Sequence, residues 1–237
     1  MDIQEFLAKG HLQFLPNLSI DHVIIGYDQG RLKCLLLRLG DRWILPGGYI
    51  QRTETVAQAA KRILKERTHL ENPHQQFLAV FGATDRQFAT QWKPFLAQRS
   101  IPWRDDYWIN DRFVTLAYYS LVHMEQTQPV PSAMDDAIDW FDFEALPEMW
   151  MDHQHIVQTA REQLKHDLLH EQLSYHLLPD QFTMPELHQL HQHILGKNID
   201  RSRFQKKMLA SGDFERLPKL QNEVPGRNPY LYRVKHH

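Results

Sequence analysis

The sequence holds a single cysteine, Cys34, in 237 residues. One thiol excludes an internal disulfide and the multi-thiolate zinc sites of small domains, and it fits a reducing compartment. No run of about eighteen or more apolar residues occurs, and the first residues, Met1-Asp2-Ile3-Gln4-Glu5, lack the basic flank and apolar stretch of a secretory signal. The expectation is a soluble, cytoplasmic protein with no membrane partner. Compositional bias is missing too: 42% hydrophobic and 24% charged residues exclude disordered, collagen-like and coiled-coil chains. Charge of one sign is equally scarce, since 27 Lys and Arg against 29 Asp and Glu leave a net of −2 and no overall basic footprint for nucleic acid. That total hides a split. Residues 1–175 carry 17 basic against 23 acidic side chains, a net of −6, whereas residues 176–237 carry 10 against 6, a net of +4. An acidic body joined to a basic tail suggests two tasks.

Along the body, strands and helices alternate. Ile20 to Tyr27 and Leu32 to Leu39 are apolar runs separated by Asp28-Gln29-Gly30-Arg31, which predicts two paired strands. Trp43-Ile44-Leu45-Pro46-Gly47-Gly48 breaks regular structure, and from Glu54 to Arg67 the residues Val56, Ala59, Ala60, Ile63 and Leu64 recur at helical spacing. Further strands are predicted at Phe77 to Ala83, Phe113 to Val122 and Ala137 to Phe143. Residues 87–110, with Trp92, Phe95, Trp103, Tyr107 and Trp108, are too long for an ordinary connection. They read as a lid over a pocket or a partner-binding surface; the plainer alternative is a loop that packs its aromatics back on its own domain. His153 to Leu173 reads as a long connecting helix.

The glycine loop and its helix resemble the box of the Nudix family: Gly, five residues, Glu, seven residues, then Arg-Glu-aliphatic-any-Glu-Glu-any-Gly-aliphatic. Gly48, Glu54, Arg62, Leu64, Glu66 and Leu70 stand at the matching places, and Trp43, Leu45, Pro46 and Gly47 match the usual approach. Ile63 and Arg67 replace acidic residues, and His69 replaces the glycine. Hydrolysis of a diphosphate in this family needs a divalent ion held by carboxylates. Ile63 removes a ligand, and an arginine at position 67, about 4 Å from a divalent ion, would repel it by about 8 kcal/mol at an effective dielectric of about 20. The resemblance therefore implies the fold without the hydrolase: no catalytic residue, no metal and no cofactor is expected. By the same analogy the effector-binding candidates are Asp21, Arg38, Trp43, Asp85, Arg86, Arg112, Tyr118 and His153.

In the tail, Thr183-Met184-Pro185-Glu186 is a capping box with proline near the helix start, Gly196 stops that helix, and Asp200 caps a second from Arg201 to Ala210. Phe214 to Gln221 and Pro229 to Lys235 would form a hairpin, the wing. With Leu177-Leu178-Pro179, Ile194-Leu195-Gly196-Lys197, Phe204 to Leu209, Gly226-Arg227 and Leu231-Tyr232-Arg233, the segment resembles the winged-helix domain of Nudix-related transcriptional regulators. Phe204 and Met208 share one side of the second helix, with Arg201, Gln205 and Leu209 next to it, and so seat it. Ser202, Arg203, Lys206 and Lys207 fall on the other side. Arg201, Ser202, Arg203, Lys206, Lys207 and the wing residue Arg227 are the DNA-binding candidates, with Arg203 able to address guanine and the lysines to hold phosphates. Among 15 histidines, His188, His191 and His193 share a helix without a completing carboxylate or thiol and read as solvent-exposed. Cys34 reads as a small core residue.

The expected fold is an α/β (α+β) Nudix-like mixed-sheet sandwich over residues 1–150, a connecting helix over 151–175 and a small α+β winged-helix domain over 176–237. The resemblance implies an effector-responsive regulator, a dimeric repressor of operator DNA. With no obvious replacement for the metal's counter-charge, a pentose, arabinose first, ranks ahead of ADP-ribose as effector. The rival reading is an active Nudix pyrophosphatase on ADP-ribose or a related nucleoside diphosphate, kept open by Glu54 and Glu66. A third is a protein-interaction module using residues 87–110.

Overall fold

The computed structural model describes residues 2–132, 134–170, 173–219 and 228–235. The elements run α1 (Ile3–Gln13), β1 (Phe14–Asp28), β2 (Arg31–Leu39), β3 (Arg42–Ile44), β4 (Gly47–Gln51), α2 (Val56–Thr68), β5 (His74–Phe81), α3 (Ala89–Gln98), β6 (Val114–Leu121), β7 (Ala137–Asp142) and α4 (His153–His170). The tail adds β8 (Phe182–Thr183), α5 (Met184–Leu195), α6 (Arg201–Ser211), β9 (Phe214–Lys219) and β10 (Tyr230–Val234).

The long strand β1 organises the first domain. It pairs parallel with β6 and antiparallel with β2 and β4, while β7 joins the far side of β2 and β5 the far side of β6. The β1–β2 hairpin closes over Gln29 and Gly30, both in the left-handed region (φ 46° and 78°), with Asp28 opposite Arg31. Such two-residue turns follow the twist of the flanking strands and favour glycine. Successive side chains of a strand alternate between faces. Ile20 therefore packs with Ala59, Ala60 and Ile63 of α2 and Ile24 with Leu64, whereas Val23 and Ile25 join the cluster of Ile156, Val157, Ala160 and Leu164 from α4. The sheet is a filled sandwich between the two helices, and α4 is a layer of it as well as a route to the tail.

Residues 87–110 adopt the plainer of the alternatives. Helix α3 turns Trp92, Phe95 and Leu96 inward, where they meet Phe6 and Leu7 of α1 together with Tyr107, Ile109 and Trp150. Trp108 donates its indole N–H to the Phe6 carbonyl at 2.9 Å. Neither α1 nor its partnership with this segment is visible in the sequence reading. The segment is an aromatic satellite core, and Phe88 and Trp92 form one wall of the cavity described below.

The tail is built from local signals. Thr183 and Glu186 form a reciprocal capping box on α5, Gly196 ends it in the left-handed conformation (φ 62°), and Asp200 accepts the Arg203 N–H at 2.8 Å to start α6. Strand β10 pairs with β8 and β9. The hydrophobic core continues without a break from the first domain into this one: Leu177, Phe182, Leu187, Leu190, Ile194, Phe204, Met208 and Tyr232 lie in one cluster with Leu164 and Leu168 of α4. Tyr27, at the end of β1, bonds His193 of α5 at 2.7 Å.

Candidate functional site

Trp43 to Gly48, expected to break regular structure, lie mostly in strands: Trp43 and Ile44 in β3 and the two glycines at the start of β4, which sits against β1 for a steric reason. Gly47 pairs with Asp21, and a Cβ there would lie 2.5 Å from the Asp21 carboxylate oxygen and 2.6 Å from the Ile20 carbonyl; one on Gly48 would press Ile63 at 3.1 Å. Beside these glycines lies a cavity of about 100 Å³. Ser19, Asp21, Gly47, Gly48, Tyr49, Arg67, Asp135 and His153 line it along with the aromatic wall. A larger cleft, about 810 Å³, lies between the β5–β6 end of the first domain and the tail; of the box residues it touches Leu70 alone, and it holds no effector candidate.

Two of the eight effector candidates, Asp21 and His153, line this cavity, and a third, Arg86, bonds Asp21. Arg86, 1% exposed, bonds Asp21 at 2.8 Å and Asp152 at 2.9 Å. Burial opposes charge on Asp21, but His153, when protonated, and Arg86 outweigh it and hold the carboxyl below its ordinary value. Burial opposes the Arg86 charge in turn, and Asp21 and Asp152 outweigh it. His153 is buried, which holds its pKa below the ordinary value, with Asp21 partly opposing. Its Nδ1 accepts the Leu45 N–H at 3.0 Å, so the neutral ring carries its proton on Nε2, 4.0 Å from Asp21 Oδ2. Among the described residues Nε2 has no hydrogen-bond partner, and neither does the buried hydroxyl of Ser19. Two buried polar groups in a cavity wall without partners fit a polar ligand, since leaving them unpaired costs free energy.

The other candidates lie apart from it. Arg38 is exposed on β2; Trp43 packs edge-to-face on Phe141; Asp85 is exposed; Arg112 donates to the Gly82 carbonyl at 2.5 Å; Tyr118 packs with His22 and Phe77. Asp152, Ser19, Tyr49 and Asp135 were missed. Asp152 adjoins His153, but nothing local signals the others.

The box residues do not suit a divalent ion. Ile63 is buried in the α2 core. Arg62 takes up both remaining carboxylates, Glu54 at 2.7 Å and Glu66 at 3.2 Å, and its hydrogen bond holds the Glu54 carboxyl below the usual range. Arg67 bonds Asp135 at 2.5 Å. Magnesium prefers several free hard oxygens, and this set presents a hydrophobe and two arginines. His69, where the family has glycine, ends α2 in the left-handed conformation (φ 57°) and bonds the Gln128 carbonyl at 3.1 Å.

In the tail, Phe204 and Met208 are buried while Arg201, Ser202, Arg203, Lys206 and Lys207 are exposed on α6. Gln205 and Leu209, expected to help seat the helix, are exposed as well, because two large residues one turn apart suffice to anchor a helix of 11 residues. Arg227 lies outside the described residues. The expectation of exposed histidines fails for two of three. His191 is buried with Nε2 2.7 Å from the Ser174 hydroxyl, and burial draws its pKa down to about 4; His188 is half-buried with Nε2 2.8 Å from the Ile199 carbonyl. Cys34 is buried in β2, and burial pushes its thiol pKa up. No helix of the described residues is long and apolar enough to cross a membrane.

The NUDIX domain family matches residues 17–160, and the NrtR DNA-binding winged helix domain family matches residues 174–234. A curated protein of Acinetobacter baylyi, described as the ADPR responsive transcriptional repressor NtrR, is 26% identical over 242 residues, covering 97% of this chain and 87% of its own. The crystal structure of Shewanella oneidensis NrtR complexed with a 27mer DNA is similar with a TM-score of 0.72 at 26% identity, over 92% of this chain and 93% of that one. A MutT/nudix family protein from Enterococcus faecalis shares the fold with a TM-score of 0.67 at 23% identity, over 100% of this chain and 94% of that one.

Proposed function

The chain belongs to the Nudix family, and on that premise we propose that it is a DNA-binding transcriptional repressor whose Nudix domain senses an effector instead of hydrolysing one. The observation that carries this is the surface of α6. Phe204 and Met208 anchor the helix, Asp200 caps it, and four cations with one serine face outward from a domain matched by the NrtR winged helix. A helix so presented suits the major groove, with Arg203 on base edges and Lys206 and Lys207 on phosphates. Residues 1–150 are the sensor, 151–175 the connecting helix and 176–237 the DNA-binding unit, acting as a homodimer in the cytoplasm.

For the effector we place ADP-ribose ahead of a pentose, reversing the order drawn from sequence. The case for a neutral sugar rested on a missing counter-charge, and Arg67 brings a cation to the cavity wall. The Acinetobacter relative, described as ADPR responsive, supports the same order. Asp21 and His153 are then suited to ribose hydroxyls, one accepting and one donating.

The test is fluorescence anisotropy with duplex DNA from the gene's own and adjacent intergenic regions. Specific binding that ADP-ribose changes is expected; no specific binding at low salt would sink the proposal. The hydrolase reading is tested by magnesium-dependent turnover of ADP-ribose, and turnover abolished by Glu66→Ala would restore it.

A further inference from the structure

We propose that Arg67 is the binding site for the effector's diphosphate and that Asp135 occupies it as an internal stand-in for that anion until the effector arrives. This rests on the effector reading above and assigns to Arg67, a departure from the box, a use of its own.

Arg67 comes from the last turn of α2, where the box would have a carboxylate for the metal, and it lines the cavity with both glycines of the loop. Its guanidinium contacts Asp135 Oδ2 at 2.5 Å and reaches toward the Gly47 carbonyl at 3.5 Å. The pair is largely buried, with side-chain exposures of 14% and 4%. A buried cation needs an anion, and a guanidinium fork binds carboxylate and phosphate with the same geometry. Asp135 is therefore the cavity-lining anion on Arg67 that one phosphoryl group of the diphosphate, singly charged like a carboxylate, could replace, the second phosphoryl adding one further negative charge. Across the cavity, Ser19 and His153 hold unpaired polar atoms, and Asp21 is already engaged with Arg86. The polar wall is ready for a ligand, whereas the Arg67 end is taken.

Size points the same way. Ligand cavities run to about 300–1,000 Å³. The space here is about 100 Å³, too little for a nucleoside diphosphate sugar, and Met134 and Asp135 close one side of it. Asp135 is held by Arg67 and by the Ser132 N–H, which donates to its Oδ2 at 2.7 Å, and Asp136 by the Arg99 guanidinium, by the Gly40 N–H at 2.7 Å and by its own N–H on the Arg38 carbonyl at 2.9 Å. Exchanging Asp135 for the diphosphate on Arg67 releases the ion pair that draws Asp135 to the cavity and leaves it to the Ser132 N–H, which widens the cavity. Arg67 would thereby supply, without a metal, the positive charge that a magnesium ion gives in a hydrolase.

The test is calorimetric titration of the full-length protein with ADP-ribose, in EDTA, for the wild type, Asp135→Asn, Arg67→Gln and Arg67→Lys, each first shown by thermal melting to be folded. Asp135→Asn is expected to tighten binding, and Arg67→Gln to weaken it by about tenfold or more, with Arg67→Lys between wild type and Gln. A purely structural ion pair predicts a different pattern: both neutralising variants would weaken binding alike or leave it unchanged. Either result, or a strict need for magnesium, would overturn the proposal. If neither the wild type nor Asp135→Asn binds ADP-ribose while specific DNA binding persists, the effector reading itself fails and this assignment with it; binding that is indifferent to Arg67→Gln fails the assignment alone.

Discussion

Helix α2 of the sensor and helix α6 of the winged helix both carry rows of cations, and the protein treats them in opposite ways. On α2, three of the four cations are paired, Arg62 with Glu54 and Glu66, Lys65 with Glu71 and Arg67 with Asp135, and Lys61 alone joins no ion pair among the described residues. On α6, none of Arg201, Arg203, Lys206 and Lys207 joins an ion pair among the described residues. Paired charge fixes a helix to its own fold. Charge left facing solvent creates a field that only an outside anion satisfies, and a row of it on a helix seated by Phe204 and Met208 matches a phosphate backbone. The net charges of −6 and +4 are the coarse shadow of this difference.

The comparison breaks most readily at Arg86, the most deeply paired cation of the sensor. Arg86→Ala leaves Asp21 and Asp152 facing each other without a cation in a largely buried site, and a loss of about 3–5 kcal/mol is expected in urea unfolding. A loss under about 1 kcal/mol would mean that the buried network does not hold the sensor together.

Acid acts on the two domains alike, unlike the cations. His22 donates to the Ala60 carbonyl in the sensor and His191 meets Ser174 in the tail, and burial draws both pKa values down to about 4. The unfolded chain titrates near about 6.5, so the unfolded state binds protons that the folded state refuses. Stability is complete above about pH 6.5 and falls toward pH 4, at up to about 1.4 kcal/mol per pH unit for each ring. Melting across this range should show that fall, and His191→Gln should reduce its slope. An unchanged slope would mean that His191 is protonated in the folded protein.

On α6 the prediction inverts. Arg203→Ala should cost about 1–3 kcal/mol of specific DNA affinity. Lys206→Ala should weaken binding to all duplexes and lower the salt slope by about 0.9. Neither should move unfolding by more than about 0.5 kcal/mol, because these side chains touch nothing in the core. A large stability loss would place them with the paired cations of α2.

What was legible in the sequence was local. The hairpin at Gln29-Gly30, the box spacing from Gly48 to Leu70 and the Thr183/Glu186 cap all lie within short stretches whose chemistry is self-contained. What was not legible joined distant segments. Trp108 meets Phe6 across 102 positions and Asp135 meets Arg67 across 68, and no periodicity records either. The aromatic segment 87–110 could not be placed without α1, and His191 could not be known as buried without Ser174. Of the eight proposed effector residues, only Asp21, Arg86 and His153 meet, because a strand's two faces cannot be sorted until its neighbours are in register.

The smallest effects test how the two regions end their helices. Helix α5 ends on Gly196, with open space where a Cβ would be, so Gly196→Ala is charged only for the left-handed conformation, about 1–2 kcal/mol. Helix α2 ends in the same conformation on His69, which bears that strain but bonds the Gln128 carbonyl. Strain of about 1 kcal/mol and a hydrogen bond of about the same size nearly cancel. His69→Gly, which removes both, should therefore leave stability within about 0.5 kcal/mol, while His69→Ala keeps the strain, loses the bond and should cost about 1 kcal/mol. If Ala proves no worse than Gly in thermal melts, the ring's bond to Gln128 contributes nothing. The histidine would then be tolerated at this cap without compensation.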